Sequence, residues 1–542
     1  MQNSTRNVIK ITLCDGHKIS NCCNIQQLSL TLVPKSFIIN NAKIIKMKRS
    51  LILITVLAAA LSAMAQIERP KLVVGVVVDQ MRWDYLYYYY EDYGTDGLRR
   101  LLNEGYSCEN TMINYVPTVT AIGHTSLYTG SVPYFHGIAG NSFMIDGKRV
   151  SSCDDPSVYG IGTDGKAGQR SPRNLRATTI GDELKHAFDF ECKVFSVAIK
   201  DRAAILPGGH SADAAYWWDS DAGHFVTSSY YMDRLPGWVE KFNRKYNTEP
   251  GYNLNTSNDG VTYTFRMAEA IIENEKLGRG KYTDMLAVSV SSTDAIAHTY
   301  STRGRENYEV FMRLDKELAQ FFKVLDKQVG RGNYLLFLSA DHGGAHNPNF
   351  MREHGQPAGG WDSSAARKAM NDAIMDECGV PGAIKAIMDY RIYLDHNAID
   401  SAGVDLEQVK RVALDVLSHD DELVLAADYE KLEQASIPEI LKQRLINGYH
   451  RGRSGDIVVM TQAGYLPFKV KSDYKGTTHG AWNPYDSHIP LVFMGWHVPH
   501  GSTTKPTRIV DLAPTICAML HIQMPNACVG DAITLDEPSS KR

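Results

Sequence analysis

Thiolate chemistry has little to work with in this chain. Nine cysteines are spread over 542 residues and no two form a C-x-x-C pair, so neither a thiolate zinc site nor a thioredoxin-type motif is indicated. Basic charge is scarce as well. With 57 Lys and Arg against 61 Asp and Glu, the formal net charge is −4, a poor basis for general nucleic-acid binding. No internal repeat or low-complexity linker divides the sequence, and no apolar run is long enough for a comfortable transmembrane helix. What remains is 44% hydrophobic and 22% charged. That is globular composition, with length for one large domain or roughly two to four smaller ones.

The nearest approach to a membrane segment is "MKRSLILITVLAAALSAMAQ", which begins at Met47 and closes on Ala63-Met64-Ala65. A basic start, a short apolar stretch and a small-x-small ending mark a secretory signal peptide. Cleavage is expected between Ala65 and Gln66, and with no Cys after the cut a lipid anchor there is not expected. Signal peptides start chains, so residues 1–46 read as an over-extended gene model with translation beginning at Met47. The other reading is a cytoplasmic extension ahead of a signal anchor. Removing residues 1–65 takes away eight Lys and Arg and one Asp, which moves the net charge from −4 to about −11. Six cysteines remain: Cys108, Cys153, Cys192, Cys378, Cys517 and Cys528. An oxidising compartment would allow disulfides among them, but spacing does not give the pairing.

Several short apolar runs read as central strands of an α/β sheet. "KLVVGVVVDQ" ends in Asp79. "VFSVAIKDR" carries Lys200 and Arg202 at its end. "DMLAVSVSSTDAIAH" ends in Asp294 with His298 four residues on, and "NYLLFLSADHGG" ends in Asp341 and His342. "HIPLVFMGW" closely follows "GTTHG", which contains His479. An Asp at a strand end often does no more than cap the next helix. Three strands ending this way point elsewhere, because open α/β sheets place their functional crevice at the carboxyl ends of the strands. The fold would then gather three carboxylates and three imidazoles, a donor set suited to zinc or another borderline divalent ion in open coordination. Asp294 and His298 share a face if the segment turns helical. Six protein ligands exceed the needs of one open zinc site and indicate two metals.

Two further features handle anions. "NYVPTVTAIGHTSLYTGSVPYFHGIAGNSF" reads as a loop, a helix start at residues 117–120, and a turn-rich stretch reaching Asn141. A hydroxyl at that helix start sits where the dipole favours negative charge. Thr118, Thr120, Thr125 and Ser126 all qualify as nucleophile, and spacing does not choose among them; a capping role is the ordinary alternative for each. In "KDR", strand alternation would point Lys200 and Arg202 the same way, and Arg offers a planar donor pair for phosphate oxygens. Most K-x-R pairs are merely solvated, so its place at the end of an apolar strand carries the argument.

With these residues in view, the chain resembles the alkaline phosphatase superfamily, in particular the monomeric bacterial alkaline phosphatases with a threonine nucleophile. The segments that carry the resemblance are "VVVDQMRWDYL", "INYVPTVTAIGHTSLYTGSVPYFHGIAGN", "AIKDRAAI", "SSTDAIAHTY", "SADHGG" and "GTTHGAWNPYD", spread in order across nearly all of residues 66–542. The resemblance implies a three-layer α/β/α sandwich with a largely parallel central sheet, two zinc ions per chain, and a monomer. It implies Thr120 as nucleophile and metal-contacting group, and Asp79, Asp341 and His342 as ligands of the zinc that activates it. It implies Asp294, His298 and His479 as ligands of the other zinc, and Asn141, Lys200 and Arg202 as the clamp on phosphoryl oxygens. The implied reaction is in-line phosphoryl transfer to Thr120, then hydrolysis of the phosphothreonine by water.

Within that superfamily, sulfatases carry a C/S-x-P-x-R motif, and "VPTVTAIG" has neither its Cys or Ser nor its arginine. Nucleotide pyrophosphatase-type phosphodiesterases share the threonine, the asparagine and the six ligands but lack the K-x-R clamp. Lys200 and Arg202 therefore favour small phosphate monoesters as substrates, with no nucleic-acid partner and no membrane insertion once the signal peptide is gone. A zinc-dependent binding protein without catalysis would have lost the nucleophile or a ligand, and neither is lost. The expected location is periplasmic or secreted. The segment of about 356–471 is expected to insert as a cap beside the site, and Asp511 in "RIVDLAPTICAML" is expected to cap the final helix.

Overall fold

The computed structural model describes residues 67–536; the signal-peptide segment and everything before it lie outside the described residues. The described residues from Arg69 onward form one compact unit. At its centre are four parallel strands: β1 (Leu72–Val78), β2 (Val194–Ala198), β3 (Asp284–Val290) and β4 (Tyr334–Ser339). Every residue of all four is buried, as β-branched runs covered on both faces require. In space β1 lies between β3 and β4, and β2 lies beyond β3. The full sheet has ten strands.

Because these four strands run parallel, the residues that follow them emerge at one edge of the sheet. Asp79 follows β1. Lys200 follows β2, Asp294 follows β3, and Asp341 with His342 follows β4. The helix that faces this edge is α1 (Thr120–Thr129), all ten of whose residues are buried. It approaches β4 so closely that a Cβ on Gly123 would stand 2.2 Å from the Asp341 carbonyl oxygen. Two more helices start at the edge: α2 (Asp201–Gly208) after β2 and α3 (Ser292–Tyr300) after β3.

Between β4 and the antiparallel strand Leu491–Gly495 that flanks it, the chain builds a second sheet. Its strands are β5 (Ile384–Met388), β6 (Arg391–Leu394), β7 (Leu423–Asp428) and β8 (Ile457–Thr461), paired antiparallel in the order β5-β6-β8-β7. Helices Ser363–Cys378, Leu406–Ser418 and Glu439–Gly448 pack with it around a separate apolar cluster. A two-residue parallel pair, Gly359–Gly360 with Tyr465–Leu466, joins the two ends of this segment at its neck.

One reading of the sequence needs correction, and two gain detail: Asp511 does stand at the N-cap position of the final helix, and the cysteine pairing left open has an answer. Lys200 and Arg202 do not lie on a strand: β2 stops at Ala198, Lys200 is the N-cap of α2 and Arg202 is the second residue of that helix. Asp511 does not cap the final helix (Leu512–Leu520) with its side chain; it accepts from the Arg508 and Asp531 backbone N–H groups and pairs with the Arg508 guanidinium. The six described cysteines are all free thiols.

The α1–β4 contact yields a test. Ala in place of Gly123 gains helix propensity of about 1 kcal/mol, but its methyl has no room against the Asp341 backbone, and overpacking costs about 1–3 kcal/mol. Gly123→Ala is expected to lower the thermal midpoint of metal-stripped protein. A raised midpoint would show that the helix moves away freely.

Candidate active site

The edge gathers the six predicted ligands with Thr120, Asn141 and Lys200; the tenth residue, Arg202, lies in the first turn of α2 and pairs with Asp201 at 3.7 Å. On the carboxylate side, Lys200 Nζ donates to Asp79 Oδ2 at 2.7 Å and to Asp294 Oδ2 at 2.5 Å. The Thr120 hydroxyl, at the first residue of α1, lies 3.5 Å from the same ammonium and 3.4 Å from His342 Nε2. Asn141 is held beside it, because its side-chain Oδ1 accepts the Ala121 N–H at 2.9 Å. That bond fixes which way the amide points and leaves its NH2 free to donate outward. Of the four hydroxyls left open by spacing, Thr118 donates to the Ala481 carbonyl and Thr125 to the Ala121 carbonyl, while Ser126 lies against His136. Only Thr120 faces the cluster.

The three histidines are oriented alike. His298 Nδ1 donates to the Thr477 carbonyl at 2.9 Å, His342 Nδ1 to the Gly343 carbonyl at 2.9 Å, and His479 Nδ1 to the Thr118 carbonyl at 2.7 Å. A carbonyl can only accept, so each Nδ1 carries a proton and each ring turns its Nε2 toward the cluster, where a neutral ring offers a lone pair. Against burial, the Asp294 carboxylate raises the His298 imidazole above its ordinary value. The Nε2 atoms face carboxylates: His298 Nε2 is 3.1 Å and His479 Nε2 3.6 Å from Asp294 Oδ1, and His342 Nε2 is 3.4 Å from Asp341 Oδ2 and 3.6 Å from Asp79 Oδ1. Backbone carbonyls behind outward-facing imidazoles are the supporting arrangement of metal-ligating histidines.

Two overlapping donor groups result, Asp294–His298–His479 and Asp79–Asp294–His342, each with its ligand atoms within 4.8 Å of one another. Asp294 belongs to both. Asp79 Oδ1 and Asp341 Oδ2 are buried and accept no hydrogen bond, a cost that a bound cation would relieve. Burial, with Asp341 and Asp294 nearby, pushes Asp79 well above the usual carboxylate range. Burial also opposes the charge on Asp294, yet Lys200 and His298 hold its carboxyl well down. Burial pushes His342 and His479 below the ordinary imidazole value, so both are neutral and able to ligate. A mixed nitrogen and oxygen set without thiolates fits zinc.

Sequence reasoning missed the residues behind this set. His124 is fully buried one helical turn after Thr120; its Nδ1 donates to the Thr120 carbonyl at 2.9 Å and lies 3.3 Å from Asp341 Oδ2. Its i+4 spacing from Thr120 was the available signal. Gln80, next to Asp79, donates its amide to Asp294 Oδ1 at 2.6 Å and its backbone N–H to Asp341 Oδ1 at 3.2 Å. Arg202 is one-quarter exposed, and its Nε makes no hydrogen bond.

Known proteins share this arrangement of chain. The family model described as type I phosphodiesterase / nucleotide pyrophosphatase matches residues 73–483. A protein of Myroides odoratus named calcium-transporting ATPase is 43% identical over 527 residues, covering 88% of this chain and 96% of its own. Alkaline phosphatase PafA of Elizabethkingia meningoseptica is 42% identical over 521 residues, covering 86% and 94%. The solved structure of wild-type PafA matches with a TM-score of 0.83 at 41% identity, covering 86% of this chain and 99% of that one. A PafA variant substituted at a threonine, an asparagine, a lysine and an arginine gives 0.82 at 40% identity over the same shares.

The crowded carboxylates predict an inversion in stability. Without metal, Asp79→Asn removes a buried charge that Asp341 and Asp294 oppose, so metal-stripped Asp79→Asn is expected to melt above metal-stripped wild type. Added zinc should raise the wild-type midpoint, by about 2.7 kcal/mol of stability at a hundredfold excess over Kd, and should raise the variant's far less. Calorimetry of both proteins, with and without zinc, checks this; a variant stabilised by zinc as strongly as wild type removes Asp79 from the ligand set.

Proposed function

The chain belongs to the type I phosphodiesterase / nucleotide pyrophosphatase family of the alkaline phosphatase superfamily and is a metal-dependent phosphomonoester hydrolase, and from that premise we propose that it works through two zinc ions and a phosphothreonine at Thr120. In this reading Asp79, Asp341 and His342 hold one ion next to Thr120. Asp294, His298 and His479 hold the other. When bound, the ions supply Lewis-acid stabilisation to the attacking and departing oxygens. The observation that carries the proposal is the place of the Thr120 hydroxyl, within 3.5 Å of both Lys200 Nζ and His342 Nε2 at the start of a buried helix.

The chain's own groups account for the rest. The α1 N-terminus faces the reacting phosphorus with N–H groups that favour negative charge. Thr120 Oγ attacks in line, forming its own P–O bond as the ester P–O bond breaks, and water later cleaves the phosphothreonine to inorganic phosphate. Asn141, its amide fixed by the Ala121 N–H, donates to one non-bridging oxygen. Arg202 donates to others from the first turn of α2, where its Nε makes no hydrogen bond and its guanidinium is held by a long, 3.7 Å pairing with Asp201. Lys200 adds a charge shared with Asp79 and Asp294. Such positioned donors stabilise charge as it develops, with little proton transfer required of side chains.

Discrimination against diesters follows from charge. A monoester presents one more anionic oxygen than a diester, and Lys200 with Arg202 provides the matching donors. The family model spans diesterases, so this pair is where the two activities separate. The same reading makes residues 356–471 a cap that screens the alcohol portion of the substrate, and makes residues 47–65 an export signal. No helix among the described residues is long and apolar enough to cross a membrane.

Phosphate release from p-nitrophenyl phosphate, its bis-ester and p-nitrophenyl sulfate tests the assignment, using zinc-loaded protein beginning at Gln66. The monoester is expected to dominate and chelation to abolish turnover. Arg202→Ala should lower monoester kcat/KM by about 10²–10³-fold, as loss of a transition-state donor does, and leave residual diester cleavage nearly unchanged. An equal loss on both substrates would mean that Arg202 does not select the monoester.

A further inference from the structure

The inserted segment reaches the active site with the tip of a hairpin. Met388 of β5 pairs with Arg391 of β6, which leaves Asp389 and Tyr390 as a two-residue turn. Both have positive φ, 49° and 64°. Turns of this kind favour Asn, Asp or Gly at both positions. Asp389 suits the first, but a bulky aromatic at the second is strained. Phe190 has a similar φ of 63° but is 57% exposed, whereas Tyr390 is packed in, only 3% exposed.

What holds the ring is the catalytic edge. A Cβ on Gly480 would stand 2.9 Å from Tyr390 Cε2 and 4.0 Å from Val119 Cγ1. Gly480 follows His479, and Val119 is the residue before Thr120. Three hydrogen bonds already join these two stretches: the Thr118 N–H donates to the Gly480 carbonyl at 3.3 Å, the Thr118 hydroxyl to the Ala481 carbonyl at 2.9 Å, and His479 Nδ1 to the Thr118 carbonyl at 2.7 Å. Val116 and Ala481 belong to the apolar cluster that contains Tyr390. The Tyr390 carbonyl accepts the Val459 N–H at 2.9 Å, which ties the tip back to β8. Upstream of Thr120, the Val116 N–H donates to the Arg444 carbonyl and the Asn447 side chain donates to the Asn114 carbonyl, both partners from the inserted segment.

We propose that Tyr390 is a positioning residue whose ring, delivered by the inserted segment, wedges the loop at His479–Ala481 against Val119 and so fixes the separation of His479 and Thr120. The inference rests on the roles given above to those two residues. It makes the inserted segment part of the catalytic frame as well as a cover over it. Glycine at 480 is required on the other side of the wedge, since φ there is 124° and a Cβ has no space beside the ring.

The test exploits the strain. Tyr390→Gly relaxes the backbone at φ 64° while removing the wedge, so folding and catalysis are separated in one variant. With zinc-loaded protein and p-nitrophenyl phosphate, Tyr390→Gly is expected to lower kcat by about tenfold to a hundredfold, the scale of a 1 Å misplacement. KM should change by less than about threefold, because Lys200 is untouched and Asp389, the tip residue that faces Gly140 and Arg202, is kept. Tyr390→Phe keeps the ring and is expected to restore kcat. Val412→Ala, in the buried core of the same segment, should lower the thermal midpoint and keep kcat. Wild-type kcat in Tyr390→Gly would overturn the proposal, and so would an equal kcat loss in Val412→Ala. Should Tyr390→Gly not fold, Gly480→Ala displaces the ring from the other side, and unchanged kcat there would likewise overturn it. Thr120→Ala run in parallel keeps the two readings apart: residual high activity in that variant would sink the nucleophile assignment, whereas its loss beside an active Tyr390→Gly would sink only the wedge.

Discussion

Three carboxylates converge at one edge of a parallel sheet, and the rest of the architecture follows from keeping them there. Asp79, Asp294 and Asp341 are each almost wholly buried, and Lys200 bridges the first two. One ammonium against three carboxyl groups leaves negative charge that a protein interior does not tolerate unaided. Two carboxylate oxygens without hydrogen bonds and three imidazoles with Nε2 turned inward describe a pocket suited to a metal ion. Stability and function are therefore coupled through the same charges: the arrangement that makes the metal-free chain uncomfortable is the one that gives metal binding its driving force.

Much of that edge was legible in the sequence because parallel strands convert order along the chain into proximity in space. Four apolar runs of the right length, each followed by an acid, a base or both, were sufficient to place Asp79, Lys200, Asp294 and Asp341 together, and helical spacing put His298 over Asp294. The failures came where local geometry changes within one or two residues. Strand alternation assigned Lys200 and Arg202 to a strand, but β2 ends two residues earlier and the pair begins a helix. Helix geometry removes the alternation argument for their convergence: Lys200 reaches Asp79 and Asp294 from the N-cap position, while Arg202 pairs with Asp201. Asp511 does stand at the N-cap position, yet Arg508 and the Asp531 backbone claim its carboxylate. His124 and Gln80 act on the ligands from behind, and nothing in a local pattern marks a residue whose partners lie on other strands.

Membership of a family that includes diesterases leaves specificity to a small part of the surface. The ligand set and the nucleophile treat monoesters and diesters alike, because both present a phosphorus and a leaving oxygen. What differs is the charge on the remaining oxygens, and the groups we propose to meet it are Asn141, Lys200 and Arg202. They come from two places: the stretch after α1, and the β2–α2 junction. Of the three, Lys200 is tied directly to Asp79 and Asp294, so a change there also disturbs the carboxylate cluster.

The inserted segment shows why such a site resists being read as a list of ligands. His479 reaches the edge from a loop rather than from a strand of the sheet, so the register that fixes Asp79 or Asp341 does not fix it. Its position depends on contacts with Thr118, and through Gly480 on a strained aromatic from a hairpin remote in sequence. Strain in a turn and an absent side chain at Gly480 are complementary: each makes sense only with the other present. A loop-borne ligand thus acquires the rigidity of a framework it does not belong to, and the segment that appears to be an addition to the fold supplies the contact that closes it.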